Sequence, residues 1–388
     1  MLGNLVDIRS GDAPSMFKLG RMGEVPYLKV EDLNNCSKYQ IVSRSYCKRE
    51  KTPIPPNSIV FPKRGAAILN NKVRITSREV YLDSNLMALT PRPEVLDPEY
   101  LFYIITYQQL FKIADTSTIP QINNKHIIPL SIALPQLSEQ KKIAEILTCW
   151  DKAIELVKRL IEEYDKLYRA IARSLLSGTT RVTDEEASGR DTYKTVALSD
   201  IFERVTRKNS ENCNLALTIS GRDGLIRQEE YFKKRVASER LDGYYLLNNG
   251  EFAFNRSSMN GYPYGAIKRL DRYDRGVVST LYLCFKLKDA LSCSDYFALY
   301  FDSGLFNREI YSIAQEGARS HGLLNIGTEE FFNLRVPLPP LDAQLRIARV
   351  IMAFSEHNKN LRVYRDRLID QKRGLMQKLL TGKIRVKV

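Results

Sequence analysis

The chain repeats one of its own segments without a gap at an offset of 204 residues, and this narrows the possible folds more than any other feature. Leu134-Pro135-Gln136-Leu137-Ser138-Glu139-Gln140-Lys141-Lys142-Ile143-Ala144 returns as Leu338-Pro339-Pro340-Leu341-Asp342-Ala343-Gln344-Leu345-Arg346-Ile347-Ala348. The same offset pairs Leu175-Leu176-Ser177-Gly178 with Leu379-Leu380-Thr381-Gly382, and Arg181-Val182 with Arg385-Val386. Two copies at so long a period exclude a solenoid, whose repeats are short and many. They describe a duplicated unit made of a globular part followed by a repeated part.

Each repeated part reads as one long helix. In the first, Ile143, Leu147, Trp150, Ile154, Val157, Ile161, Tyr164, Tyr168, Ile171 and Leu175 alternate steps of three and four, the seam of a coiled coil. The second keeps Ile347, Ile351, Phe354, Leu361, Leu368, Leu375 and Leu379 in register. It places Asn358, Arg365 and Lys372 where the first has Ile154, Ile161 and Tyr168, and polar seam residues fix register at a cost in stability. Ser138 and Asp342 suit an N-cap or first turn, and Gly178 and Gly382 suit the residue just past a helix end. About 40 residues give a rod of roughly 60 Å. Ordinary core helices of one domain would be shorter. A globular segment lies between the two helices, so they are expected to run antiparallel.

The fold class expected is α+β: two globular domains separated by two long antiparallel coiled-coil helices in a pseudo-twofold repeat. The first domain spans 1–134 and the first long helix 135–178. A linker rich in Ser, Thr, Gly and charge spans 179–193, the second domain 194–337, and the second long helix with its tail 338–388. Strands are expected at Ser58–Phe61, Val80–Leu82 and Val277–Phe285, and helices at Pro98–Phe111 and Ser294–Tyr311.

No run of eighteen apolar residues is present, and the first residues lack a basic stretch leading into an apolar one, so neither a membrane span nor a signal peptide is expected. Six scattered cysteines without C-x-x-C argue against a disulfide framework or zinc site and suit a reducing cytoplasm. The net charge of +14 favours a polyanionic partner, nucleic acid first. It is unevenly spread: residues 337–388 carry 12 basic side chains against 4 acidic, residues 183–336 carry 21 against 22.

The residue types that read bases and hold phosphates gather in loops. In the first domain they are Lys63 and Arg64 after a strand, then Lys72 and Arg74. In the second, Asn255, Arg256, Ser257, Asn260 and Tyr262 follow a strand in a glycine-rich loop. Arg can grip guanine and Asn adenine bidentately, Ser and Tyr can bond phosphate, and glycines allow close backbone approach. The competing reading is a solvated hairpin whose Arg pairs with a nearby acid. Two more polar loops align at offset 204, Ser117, Thr118 and Gln121 with Arg319, Ser320 and His321. No catalytic or metal residues are assigned: the three histidines lack metal-ligand spacing, and no phosphate-binding G-x-x-x-x-G-K-[ST] occurs. Glu139-Gln140-Lys141 has an E-x-K shape found in some nucleases, but opens a helix, where a carboxylate is favoured by the dipole.

The repeated Leu-Pro-x-Leu-x-x-Gln-x-x-Ile-Ala, the Leu-Leu-[Ser/Thr]-Gly helix ends, and Asn255-Arg256-Ser257 with Gly261-Tyr262-Pro263 resemble the specificity subunit of type I restriction–modification systems over nearly the whole chain. Ala343 departs from the family's usual Glu, which Glu139 retains. The resemblance implies two target-recognition domains, each reading half of a bipartite double-stranded DNA site, with helices that set the spacer and dock two modification (methyltransferase) subunits. S-adenosylmethionine belongs to those partners and no cofactor to this chain; restriction subunits join in a full system. Two alternatives are a fragment of a fused restriction–methylation enzyme, disfavoured by the lack of Asn-Pro-Pro-Tyr, and a coiled-coil adaptor that reads no DNA.

Overall fold

The computed structural model describes residues 1–115, 119–180, 193–232, 240–258, 261–289, 292–316 and 324–387. In chain order its elements are β1 (Val6–Ser10), β2 (Val25–Leu28), β3 (Tyr39–Gln40), β4 (Ser45–Cys47), β5 (Ile59–Pro62), β6 (Arg74–Thr76), β7 (Tyr81–Leu82), β8 (Leu86–Pro91), α1 (Pro98–Gln108), α2 (Leu110–Ile113), α3 (Asn124–Ile127) and α4 (Leu137–Leu176). Then come β9 (Lys194–Ala197), α5 (Leu198–Ile201), β10 (Phe202–Arg204), β11 (Leu217–Ser220), β12 (Gly224–Arg227), α6 (Gln228–Phe232), β13 (Tyr245–Asn248), β14 (Phe252–Asn255), β15 (Ala266–Arg269), β16 (Arg275–Val278) and β17 (Leu283–Leu287). The last are α7 (Ser294–Asp302), α8 (Asn307–Ile313), β18 (Gln315–Glu316), β19 (Leu324–Asn325), α9 (Thr328–Asn333), β20 (Arg335–Leu338) and α10 (Leu341–Leu380). The chain divides into unit 1, Met1–Arg159 with Arg362–Val388, and unit 2, Leu160–Leu361.

Unit 1 is built on a five-stranded sheet of order β1-β8-β5-β6-β3, antiparallel except where β3 meets β6. Side chains alternate across a strand. Ile59 and Phe61 of β5 and Met87 and Leu89 of β8 therefore face α1, while Val60, Leu86 and Ala88 face a smaller core with Leu28, Leu33 and Leu82. Both faces are covered, which explains the unbroken apolar run Ile59-Val60-Phe61. The larger core is completed by Ile143, Ala144 and Leu147 from the start of α4, and by Met376, Leu379 and Leu380 from the end of α10.

Unit 2 repeats the scheme on β10-β17-β14-β15. Phe252, Phe254, Leu283 and Phe285 face one core, Ala253 and Cys284 the other. Phe252 and Phe285 stack at 5.3 Å, and Phe202 meets both edge-on. The end of α4 (Ala172, Leu175, Leu176) and the start of α10 (Ile347, Ala348, Ile351) close this core. These are the repeat equivalents of the helix residues in unit 1. Each long helix thus begins on the body that precedes it and finishes in the core of the other unit, which is the physical content of the gapless repeat.

Both long helices have 40 residues and end as expected, with Gly178 and Gly382 at positive φ (76° and 72°) donating to the carbonyls of Leu175 and Leu379. Ser138 and Asp342 fall in the first turn and not at the cap, because the helices start one residue earlier, at Leu137 and Leu341. The pairing is antiparallel within each unit. In unit 1 Glu139 meets Arg385 and Asp151 meets Lys372; in unit 2 Asp165 meets Asn358. Lys372 and the Asn358 amide N–H therefore meet acids of the facing helix, the Asn358 Oδ1 is buried without a partner among the described residues, and Arg365 pairs with the adjacent Asp366.

Three expected elements are broken. Pro98–Phe111 is interrupted at Gln109 (φ +59°), where Asn71 Oδ1 accepts the Leu110 N–H and restarts the helix as α2. Ser294–Tyr311 is split by a turn containing Gly304 (φ +77°). The run Val277–Phe285 is two strands, because Tyr282 N–H donates to Ser279 C=O and turns the chain between β16 and β17.

Candidate nucleic-acid interface

In unit 1, β5 delivers Lys63-Arg64-Gly65 to a surface shared with the residues before the long helix. Gly65 N–H donates to Pro120 C=O (2.8 Å), Ile122 N–H donates to Lys63 C=O (2.8 Å), and Arg64 bridges to Gln121. Gly65 adopts φ +79°, which a side chain would strain. The two loops singled out from sequence, 57 residues apart, are thus brought together. Arg64 is exposed and Lys63 half-buried, and burial followed by the charge of Arg64 lowers the Lys63 pKa. Gln121 donates to Asn123 Oδ1 (3.1 Å). Lys72 follows the 3-10 turn Ala66–Asn70, beside Asn71, which ties that turn to α1 by donating to Thr106 C=O (2.9 Å). Arg74 lies apart on β6, with Nη1 on Val73 C=O (2.7 Å) and its charge against the Cys36 thiol. Ser117 and Thr118 lie outside the described residues.

Unit 2 has the same juxtaposition. After β14, Arg256 C=O accepts from Leu324 N–H of β19 (2.9 Å). The Arg256 fork differs from the exposed Arg64: Nη1 donates to Ile326 C=O and Nη2 to Leu281 C=O, both at 3.0 Å. Free presentation of that fork to a guanine, as expected from sequence, is not what the structure contains. Tyr262 is likewise engaged. Its hydroxyl reaches Gly221 C=O (2.8 Å) and Asp302 (2.9 Å) and accepts from Lys268 (3.0 Å), and burial raises its pKa. Asn255 Oδ1 accepts from the Ser257 N–H (3.1 Å). Asn260, Arg319, Ser320 and His321 lie outside the described residues.

Two roles escaped the sequence reading. The repeated Gln is a buried staple. Gln140 Oε1 accepts from Asp97 N–H, the N-cap of α1, while Nε2 donates to Val95 and Pro135 carbonyls, all at 2.9 Å. Gln344 Oε1 accepts from Cys293 N–H, the N-cap of α7, and Nε2 donates to Pro339 C=O, both at 2.8 Å. Identity of this residue in both copies was the available signal. Glu139, of the E-x-K triplet, is occupied: Arg385 grips both carboxylate oxygens (2.6–3.1 Å) and Val386 N–H donates to Oε1 (3.0 Å). The Arg385 hydrogen bonds, then the Val386 N–H, hold its pKa at about 2, against an ordinary 4.5. A depressed carboxyl stabilises the fold above the unfolded value and loses that effect as pH falls through the folded one. Glu139→Gln should therefore melt earlier than wild type at neutral pH, with the gap narrowing below pH 4.5 towards 2. Parallel melting curves across that range would contradict the pairing.

Among the described residues no group of His, Cys, Asp and Glu could hold a metal ion, and no helix is long and apolar enough to cross a membrane. The family model described as the type I restriction modification DNA specificity domain matches residues 1–164. The type I restriction enzyme MjaVIII specificity subunit of Methanocaldococcus jannaschii is 22% identical over 408 aligned positions, covering 100% of this chain and 92% of that one. The HsdS subunit from Thermoanaerobacter tengcongensis superposes with a TM-score of 0.55 at 14% identity, over 99% of this chain and 96% of that one. A chain from a type I R-M system studied for its complex assembly and conformational transition gives 0.63 at 13% identity, over 99% and 97%. The structural likenesses establish the two-body, two-helix fold. Together with the sequence match over both repeats, they lead to one conclusion: residues 1–164 match the type I restriction modification DNA specificity domain, and the chain as a whole is similar to type I restriction–modification specificity subunits.

Proposed function

We propose that the chain is the DNA-reading, non-catalytic subunit of a type I restriction–modification complex, with residues 1–134 and 194–337 each reading one half of a bipartite site. The observation that carries this is the repeated juxtaposition of a post-strand loop with the segment before a long helix, at Arg64 with Gln121 and at Arg256 with Leu324. Each body carries its own loop cluster, and the loops differ while the frame is shared, as two readers of different sequences require. In unit 1 the contacts proposed are Lys63, Arg64, Lys72 and Gln121; in unit 2 they are Asn255 and Ser257, with Arg256 and Tyr262 as positioning residues. The helices set the spacer and dock two methyltransferase subunits, which bind S-adenosylmethionine and methylate adenine; restriction subunits complete a full system. Exposed Leu156, Val363 and Tyr364 supply apolar area on the helices for such docking.

Sequencing the methylated bases of cells that carry this chain with its partner methyltransferase should reveal a two-part methyladenine motif that vanishes when the chain is deleted. No change on deletion would refute the reading. Within that system, Arg64→Ala should weaken discrimination at one base pair by about 1–3 kcal/mol, about fivefold or more in relative methylation, at one half only. Uniform weakening across sequences would make Arg64 a phosphate contact instead.

A further inference from the structure

The loop cluster of unit 1 exposes more than cations. Leu69 is 58% exposed on the 3-10 turn that follows Gly65, and Ile119 is 62% exposed one residue before Pro120, whose carbonyl accepts from Gly65. Phe111 of α2, the helix that packs against this turn, is 39% exposed, with the Lys112 ammonium 5.9 Å from its ring centroid. The turn is held rigidly from both sides. Ile68 N–H donates to Gly65 C=O, Asn71 N–H to Ile68 C=O, and the Asn71 side chain binds Thr106 C=O and Leu110 N–H. Large aliphatic side chains on an anchored backbone, carried by the same joined loops as Lys63, Arg64 and Lys72, suit an occupant that is polyanionic outside and carries apolar groups within. Duplex DNA has that chemistry in its major groove, where thymine alone presents a methyl group.

We propose that Leu69 and Ile119 form the apolar contact that recognises the 5-methyl group of a thymine in the half-site read by unit 1. The inference rests on the DNA-reading function above and adds a residue-level chemistry that hydrogen-bond donors cannot supply. Surrounding cations fix the backbone and the apolar pair distinguishes thymine from cytosine at the same groove position.

The test uses the full chain in complex with its methyltransferase subunits and a duplex carrying its methylated motif. Thymines of the half-site that relaxes in Arg64→Ala are replaced one at a time by deoxyuridine, which lacks only the methyl group. At one position wild-type affinity should fall about fourfold, the effect of withdrawing one buried methyl group. The double variant Leu69→Ala/Ile119→Ala should bind the thymine and uracil duplexes equally. A half-site without thymine, no position sensitive to uracil, or an unchanged uracil penalty in the double variant would each overturn the proposal. So would loss of the methyltransferase subunits from the double variant, which would make this surface a protein interface. The uracil series on the unmodified protein needs no variant to fold. Absence of any methylated motif would refute DNA reading itself, whereas a motif without a uracil penalty refutes this inference alone.

Discussion

Arg256→Ala is expected to destabilise unit 2 by about 2–4 kcal/mol and to abolish recognition of one half-site while the other is still read. The side chain joins three segments. Its fork donates to Leu281 at the turn before β17 and to Ile326 after β19, and its own carbonyl accepts from Leu324. Hydrogen bonds from a charged donor contribute about 1.5–3 kcal/mol each; the Ile326 partner stays shielded from water when the guanidinium is removed, whereas the Leu281 partner is exposed and adds less. Lysine reaches one carbonyl at a time, so Arg256→Lys should fall between wild type and alanine. Denaturation midpoints measure the first effect, and amide exchange at Leu324 reports the loosened segment. A purely base-reading arginine would lose half-site recognition in both variants with no change in the midpoint.

Gln140→Ala is expected to lower the stability of unit 1 by about 2–4 kcal/mol, and Gln344→Ala that of unit 2 by less. Gln140 is fully buried and makes three hydrogen bonds to backbone groups; Gln344 is 1% exposed and makes two. Truncation leaves the partly buried partners of Gln140 and the buried partners of Gln344 without hydrogen bonds, and that desolvation dominates the loss. Gln140→Glu separates shape from chemistry, since a carboxylate can still accept from Asp97 but cannot donate to Val95 and Pro135. It should be at least as damaging as alanine at neutral pH. Chemical denaturation of the full chain measures both, and equal midpoints for wild type and Gln140→Ala would remove the staple from the account.

What could be read in the sequence followed from local physics. The heptad steps and the glycines after Leu176–Ser177 and Leu380–Thr381 fix long helices and their ends, and the repeat fixes their relation to two bodies. The long-range partners were hidden. Arg256 looked like a free base reader because its acceptors lie 25 and 70 residues away, at Leu281 and Ile326. The sequence pattern of the helix beginning at Pro98 runs through Phe111 without a mark of the break at Gln109, which is completed by Asn71, 39 residues upstream of Leu110. Similarly, Val277–Phe285 read as one strand because its apolar pattern does not reveal the turn closed at Ser279. The role of Gln140 in joining two elements depended on carbonyls that no periodicity marks. Leu69 and Ile119 carry no signal in the sequence because apolar residues in loops are common, and only their exposure on the joined loops distinguishes them.

Comparing the methylated motif of wild type with those of Arg64→Ala and Arg256→Ala in the same cells tests the central claim most directly. The expected result is a bipartite methyladenine motif in which each variant degrades a different half and leaves its partner half unchanged. Degradation of both halves by either variant, or a motif that is not divided, would contradict it.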